Sequence, residues 1–133
     1  EISGVLAENG IDLIPLAAPT SGLERVRKIS ESGSGFLYYV TVAGVTGARK
    51  SLPETFAKRL AEVRKVSVLP VAAGFGISSP EMAHAAAQSA DAVVVGSRLV
   101  DLAFTTYLEK GEDAALKAAG DFVASLAAAV RRD

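Results

Sequence analysis

Cysteine is absent from this 133-residue chain, which excludes disulfides, thiolate ligands and thiol nucleophiles together and fits a cytoplasmic setting. The single histidine, His84, leaves little material for a zinc site. No segment approaches the roughly 18 to 20 apolar residues of a membrane span, and no basic–apolar–small leader opens the chain. Neither charge dominates. Lys and Arg total 14 against 15 Asp and Glu, so there is no electrostatic footprint for nucleic acid or an anionic membrane. No long Gly/Ser linker or low-complexity tract divides the sequence, and a single domain over 1–133 is expected.

Apolar residues, in contrast, make up 50% of the chain, and the mean hydropathy is +0.31. That composition argues against disorder. The length suffices for one domain with a real core, though it is small for many α/β architectures.

The stretch Leu69–Pro80 (LPVAAGFGISSP) organises the rest. Leu69, Val71, Ala72 and Ala73 suit a strand covered on both faces, as in parallel sheets. Gly74 and Gly76 permit backbone angles and a close ligand approach that a Cβ would obstruct. Ser78 or Ser79 can cap a following helix, with Pro80 at its first position. A helix start behind a glycine turn offers free N–H groups and a partial positive charge, as a phosphate requires. An ordinary strand-to-helix turn without a ligand explains the same residues.

Along the chain, Glu1–Asn9 reads as the tail of a helix ended by Gly10, and Ile11–Ala17 as a short apolar strand with an exit loop at Ala18–Ser21. Ser21 and Glu24 have capping-box spacing for a helix stopped by Ser32–Gly35. Phe36–Val42 (FLYYVTV) is a strand dense in aromatic and β-branched residues. Ala43–Lys50 is a loop, and Ser51 and Glu54 again have capping-box spacing, for a helix whose apolar face is Phe56, Leu60 and Val63. After the organising stretch come a helix to about Gln88, a strand at Asp91–Val95, and a helix from Arg98 to about Leu108. Lys110–Asp113 forms a break before a last helix striped by Leu116, Ala119, Val123, Leu126 and Val130.

Strand and helix therefore alternate four times, which predicts an α/β fold with a parallel sheet and right-handed crossovers. Four such units make either a small open sheet or half of a (β/α)₈ TIM barrel. A chain opening inside a helix favours the half barrel. In both architectures ligands sit at the carboxyl ends of the strands. Those ends read Ala18–Ser21, Ala43–Gly47, Gly74–Ser78 and Gly96–Arg98. Two glycine turns on the last two strands, each opening a helix, match the phosphate site that barrels often carry there.

The runs LAAPTS (16–21), FLYYVTVAGVTGAR (36–49), LPVAAGFGISSPE (69–81) and ADAVVVGSRLV (90–100) resemble, in order and spacing, the second half of the tryptophan synthase α subunit. The resemblance implies barrel strands five to eight of a lyase that cleaves indole-3-glycerol phosphate to indole and glyceraldehyde 3-phosphate. It implies no cofactor for this chain, and a partner in the pyridoxal-phosphate-dependent β subunit. Carried over, Gly74, Phe75 and Gly76 would lie beside the substrate phosphate, with Gly96 and Ser97 completing that site. Tyr38 would lie near the indole-glycerol moiety. Thr46 would close over the ligand within the 43–50 lid and orient a catalytic aspartate.

The family's catalytic acid and base belong to the half not represented here, and no convincing substitutes appear. Asp12 and Asp91 stand at the amino ends of strands, the stability face. Glu54 and Glu81 are first-turn helix acids. Asp101 lies one turn into a helix, and His84 sits mid-helix among alanines, facing outward or toward a partner. Arg49, Lys50 and Arg98 flank the mouth; solvated surface charges are the default reading, with Arg98 the strongest candidate for a phosphate contact. Three readings follow. The chain is an α-subunit half, inactive alone; or a non-catalytic or engineered half-barrel scaffold that binds phosphate and self-associates; or part of a longer protein whose amino-terminal half is missing.

Overall fold

The computed structural model describes residues 2–40, 54–74 and 76–131. Their elements run α1 (Ile2–Glu8), β1 (Leu16–Ala17), α2 (Leu23–Glu31), β2 (Leu37–Val40), α3 (Glu54–Val66), β3 (Val71–Gly74), α4 (Pro80–Ala87), β4 (Ala92–Val94), α5 (Ser97–Lys110) and α6 (Glu112–Val130). The four strands pair in parallel and in chain order, β1-β2-β3-β4. This is the α/β arrangement that the alternation predicted.

The register assigns the two faces of the sheet. Leu16, Tyr38, Ala72 and Ala92 lie in one row across the strands, followed by Val40, Gly74 and Val94. Side chains alternate along a strand, so Ala17, Leu37, Tyr39, Val71 and Ala73 fall on the other face. There they join Val26, Leu60, Val63, Met82, Ala83 and Ala86 from α2, α3 and α4 in one buried core. The alanines of α4 let that helix lie close on the sheet. Leu60 and Val63, expected on the apolar face of α3, are fully buried, and Phe56 packs against them.

The first strand is shorter than Ile11–Ala17. Pro15 has no N–H to give to a ladder, and Leu13 is clipped to a loop instead. Its N–H donates to the Ser34 hydroxyl at 2.9 Å, and its carbonyl accepts from the Ser34 N–H at 2.9 Å. Pairing with β2 begins where the Tyr38 N–H donates to the Pro15 carbonyl.

Two further expectations are corrected. No Ser21–Glu24 capping box forms: Gly22 occupies the N-cap of α2 without a side-chain cap, and the Ser21 hydroxyl accepts from the Ala18 N–H at 3.4 Å. In α6, Leu116 is 65% exposed and Val123 is also exposed, while Ala115 is buried. Leu126 and Val130 do pack on the core. The helix thus docks through its second half, against α4, and pairs with α5 along its length. The break before it shrinks to Gly111, whose φ of +84° favours glycine. The Ser51–Glu54 box lies outside the described residues.

Polar ties lock the amino edge of the sheet. The Asp91 carboxylate accepts from the Val71 N–H at 2.9 Å and pairs with Arg64 at 2.6 Å, joining α3, β3 and β4. Buried Ser30 donates to the Arg27 carbonyl and accepts from the Val68 N–H at 3.1 Å. Asp91 therefore serves the stability face, as its place at a strand start implied. Among the described residues no helix is long and apolar enough to cross a membrane.

Candidate functional site

Parallel strands deliver all their carboxyl ends to one rim, and there the sequence-singled residues converge. Tyr38 and Gly74 face away from the helices, in adjacent rows of neighbouring strands. The Tyr38 phenol lies directly over Gly74: a Cβ built there would overlap the Tyr38 hydroxyl and stand 3.1 Å from its Cε1. Glycine at 74 is thus the condition for that ring position. Two residues on, Gly76 has φ +76°, a left-handed turn that an L side chain rarely adopts. Phe75 and Thr46, with the whole 43–50 loop, lie outside the described residues.

Behind this turn α4 starts under a well-made cap. The Ser79 hydroxyl accepts from the Met82 N–H at 3.3 Å, and Pro80 fills the first turn. The Ser79 hydroxyl and the backbone N–H of Glu81 hold the Glu81 carboxyl below the usual carboxylate range. A general acid working near neutrality needs the opposite shift, so Glu81 is a capping acid. At the end of β4, α5 starts with Gly96 at its N-cap and Ser97 at its first position, both exposed, with no side-chain cap. Its first amides point toward the same rim and carry the positive end of a 14-residue helix.

Among the described residues, the charged side chains near this rim have partners, while Arg49 and Lys50 lie outside the described residues. Arg98, the basic residue best placed by sequence for a phosphate, pairs with Asp101 at 3.2 Å one turn along α5, both side chains being exposed. That contact also accounts for Asp101. Asp12 lies at the opposite, amino edge, close to Gly35. His84 is exposed, and its Nδ1 stands 2.8 Å from the Ala129 carbonyl of α6. This is the outward role expected of it. Among the described residues no cluster of His, Cys, Asp and Glu can hold a metal ion.

One supporting residue was not legible in the sequence. Arg59 on α3 donates to the Ser21 carbonyl at 2.9 Å and to the Glu62 carboxylate at 3.0 Å. It thereby fixes the Ala18–Ser21 loop at the carboxyl end of β1. Its guanidinium also neighbours the buried Tyr39 hydroxyl, which makes no hydrogen bond of good geometry. Burial pushes the Tyr39 phenol above its ordinary value, and Arg59 partly offsets that rise. No local spacing signals a contact 38 residues long.

Comparison with known proteins places this arrangement. A family model described as tryptophan synthase alpha chain matches residues 1–130. The tryptophan synthase alpha chain of Geobacter sp. (strain M21) is 48% identical over 127 residues, 95% of this chain and 46% of that relative. The solved alpha chain of Legionella pneumophila superposes with a TM-score of 0.81 at 34% identity, covering 97% of this chain and 46% of its own. In the tryptophan synthase α2β2 complex of Pyrococcus furiosus, the matched chain gives 0.76 at 34% identity, covering 95% and 49%. The chain spans about half the length of the relatives it matches, and its four-stranded sheet corresponds to half of their TIM barrel. With fold and sequence agreeing across nearly all its residues, this chain belongs to the tryptophan synthase alpha chain family.

Proposed function

We propose that this chain supplies the phosphate-gripping half of a lyase that cleaves indole-3-glycerol phosphate to indole and glyceraldehyde 3-phosphate. The observation that carries this reading is the packing of Tyr38 over Gly74, beside the Gly76 turn and the Gly96–Ser97 helix start. Gly74, Gly76, Gly96 and Ser97 would hold the phosphate through backbone amides and the Ser97 hydroxyl, with Phe75 on the same turn. Tyr38 would line the indole-glycerol moiety. Thr46 would act from the 43–50 loop, whose glycines suit a closing lid that excludes water. The tryptophan synthase β subunit is the proposed protein partner.

Cleavage is a retro-aldol step. It needs a proton delivered to the indole ring carbon and another removed from a glycerol hydroxyl. Positioned carboxylates supply such transfers, each contributing about 10²- to 10⁴-fold. Here Asp91, Asp101 and Glu81 are tied to structural partners, and Asp12 lies at the wrong edge. The 133 residues are therefore expected to bind and orient substrate but not to turn it over alone.

The test is an amide NMR titration with glycerol 3-phosphate. Shifts concentrated at Gly74, Gly76, Gly96 and Ser97, and lost in Gly76→Val, are expected. Equal affinity in that variant would refute the site. Lyase activity restored by adding the amino-terminal half of a relative in trans would establish the reaction. Binding without restored activity would favour a non-catalytic phosphate-binding scaffold.

A further inference from the structure

We infer that Arg59 is a positioning residue for the organic end of the substrate: it holds the Ala18–Ser21 turn where that end is met and leaves the phosphate end to other strands. The inference rests on the phosphate-binding reading of the rim and deepens it. Strand order is the first ground. The proposed phosphate contacts, Gly74, Gly76, Gly96 and Ser97, stand at the ends of β3 and β4, Tyr38 lies on β2, and Ala18–Ser21 follows β1. Neighbouring strands lie about 4.8 Å apart, so β1 is about 10 Å from β3. A phosphate held at β3 and β4 does not span that distance. An extended phosphate ester does, and Tyr38, packed over Gly74 from the neighbouring strand, marks its path toward β1.

The turn after β1 depends on a distant group for its place. β1 is only two residues long. Beyond it the Ser21 N–H donates to the Ala18 carbonyl at 2.8 Å, and the Ala18 N–H to the Ser21 hydroxyl at 3.4 Å. Both bonds shape the turn from within, and neither fastens it to another element. Among the described residues, the hydrogen bond that does so comes from Arg59, whose Nη2 donates to the Ser21 carbonyl at 2.9 Å. Thr20, between the two ends of the turn, is exposed.

Arg59 is itself firmly held. Leu60 and Val63 on the same helix are fully buried, which fixes α3 on the sheet. Nη1 donates to the Glu62 carboxylate at 3.0 Å. The guanidinium also neighbours the hydroxyl of Tyr39, the residue next to Tyr38 on β2. With both prongs engaged, the planar guanidinium keeps one orientation, which a lysine ammonium does not reproduce. One side chain thus sets the β1 turn against the strand that carries Tyr38. It acts through the turn, without touching the ligand.

Calorimetric titration of the chain with glycerol 3-phosphate and with 3-(indol-3-yl)propyl phosphate tests this. The second probe keeps an indole and a phosphate but lacks the hydroxyls that cleavage needs. The parent should bind the indole probe more tightly. Arg59→Ala should weaken that binding about 3- to 10-fold, the scale of one lost hydrogen bond, and leave glycerol 3-phosphate within about twofold. Arg59→Lys, which keeps the charge but not the two-pronged geometry, should lose less. It covers the case in which Arg59→Ala misfolds, because the same split between the probes should appear. Equal losses for both probes, as a merely structural role predicts, would overturn the inference. So would no loss for either, or an indole probe that binds the parent no better than glycerol 3-phosphate. A parent that binds neither probe would overturn the phosphate reading, and this inference with it.

Discussion

Alanine at position 74 tests the central contact of the site. A Cβ there would stand 2.5 Å from Tyr38 Cζ and 3.1 Å from Cε1, where ordinary contact begins at 3.4 Å. The ring must move by at least about 0.9 Å, the difference between 3.4 and 2.5 Å, and its hydroxyl, which lies closer still, by somewhat more. It is only half-buried and has open space on the uncovered face, so the cost belongs at the low end of overpacking, about 1 to 2 kcal/mol. Against this, alanine in a strand gains about 0.5 to 1 kcal/mol over glycine through the unfolded state. Gly74→Ala should therefore destabilise slightly at most, by about 0 to 1.5 kcal/mol net. In a Tyr38→Ala background the clash is gone, and the same substitution should stabilise. The coupling should be about 1 to 2 kcal/mol. Urea unfolding of all four chains at one fixed protein concentration reads it from the midpoints. Gly74→Ala effects of the same sign, equal within about 0.5 kcal/mol in both backgrounds, would show that the ring does not rest on Gly74.

Three further outcomes are expected. Ser79→Ala removes the α4 cap and should cost about 1 kcal/mol, a fall in melting temperature of roughly 3 to 5 °C; an unchanged melt would count against the cap. Asp91→Ala leaves the Val71 N–H and Arg64 without the carboxylate that joins them, and should cost about 1 to 3 kcal/mol, with midpoint shifts in urea as the measure and a near-neutral result as the refutation. Tyr39→Phe deletes a buried hydroxyl that lacks a good partner, so it should be neutral or stabilising rather than costing the usual ~1 kcal/mol. Because the Tyr39 pKa is raised in the folded state above 10.0, the unfolded chain loses this proton first. The associated stability is complete below that value and falls as pH rises through the folded pKa. Alkaline urea titrations should show that fall in the parent and not in Tyr39→Phe.

Local chemistry carried much of the fold in readable form. The Leu69–Pro80 stretch yielded β3, the Gly76 turn, the Ser79 cap and Pro80 in the first turn of α4, because each depends on neighbours within four residues. Where local rules failed, a distant group had intervened. Ser21 and Glu24 have the spacing of a capping box, but the Ser21 carbonyl belongs to Arg59 and its hydroxyl to Ala18. Ile11–Pro15 is apolar enough for a strand, yet Pro15 and the Ser34 clip keep it out of the ladder. Leu116 fits a helical stripe by period, but the docked face of α6 is set by α4 and begins near Leu126.

The sequence by itself determined the four βα units, their glycine turns and the family they belong to. These follow from residue type at short spacing. Only the tertiary structure shows why Tyr38, named by the resemblance, turns away from the helical core while Tyr39 enters it, since a shift of one residue in register exchanges the two faces of a strand. It also decided that Arg98 is held by Asp101, that Arg59 braces the β1 loop, and that Asp91 ties three elements together. Each is a contact whose partner is chosen by how the elements pack. The sheet face turned away from the helices is the clearest instance: its residues read as ordinary core in the chain, and only the packed arrangement shows that Ala72 is buried there while Leu16 is left exposed.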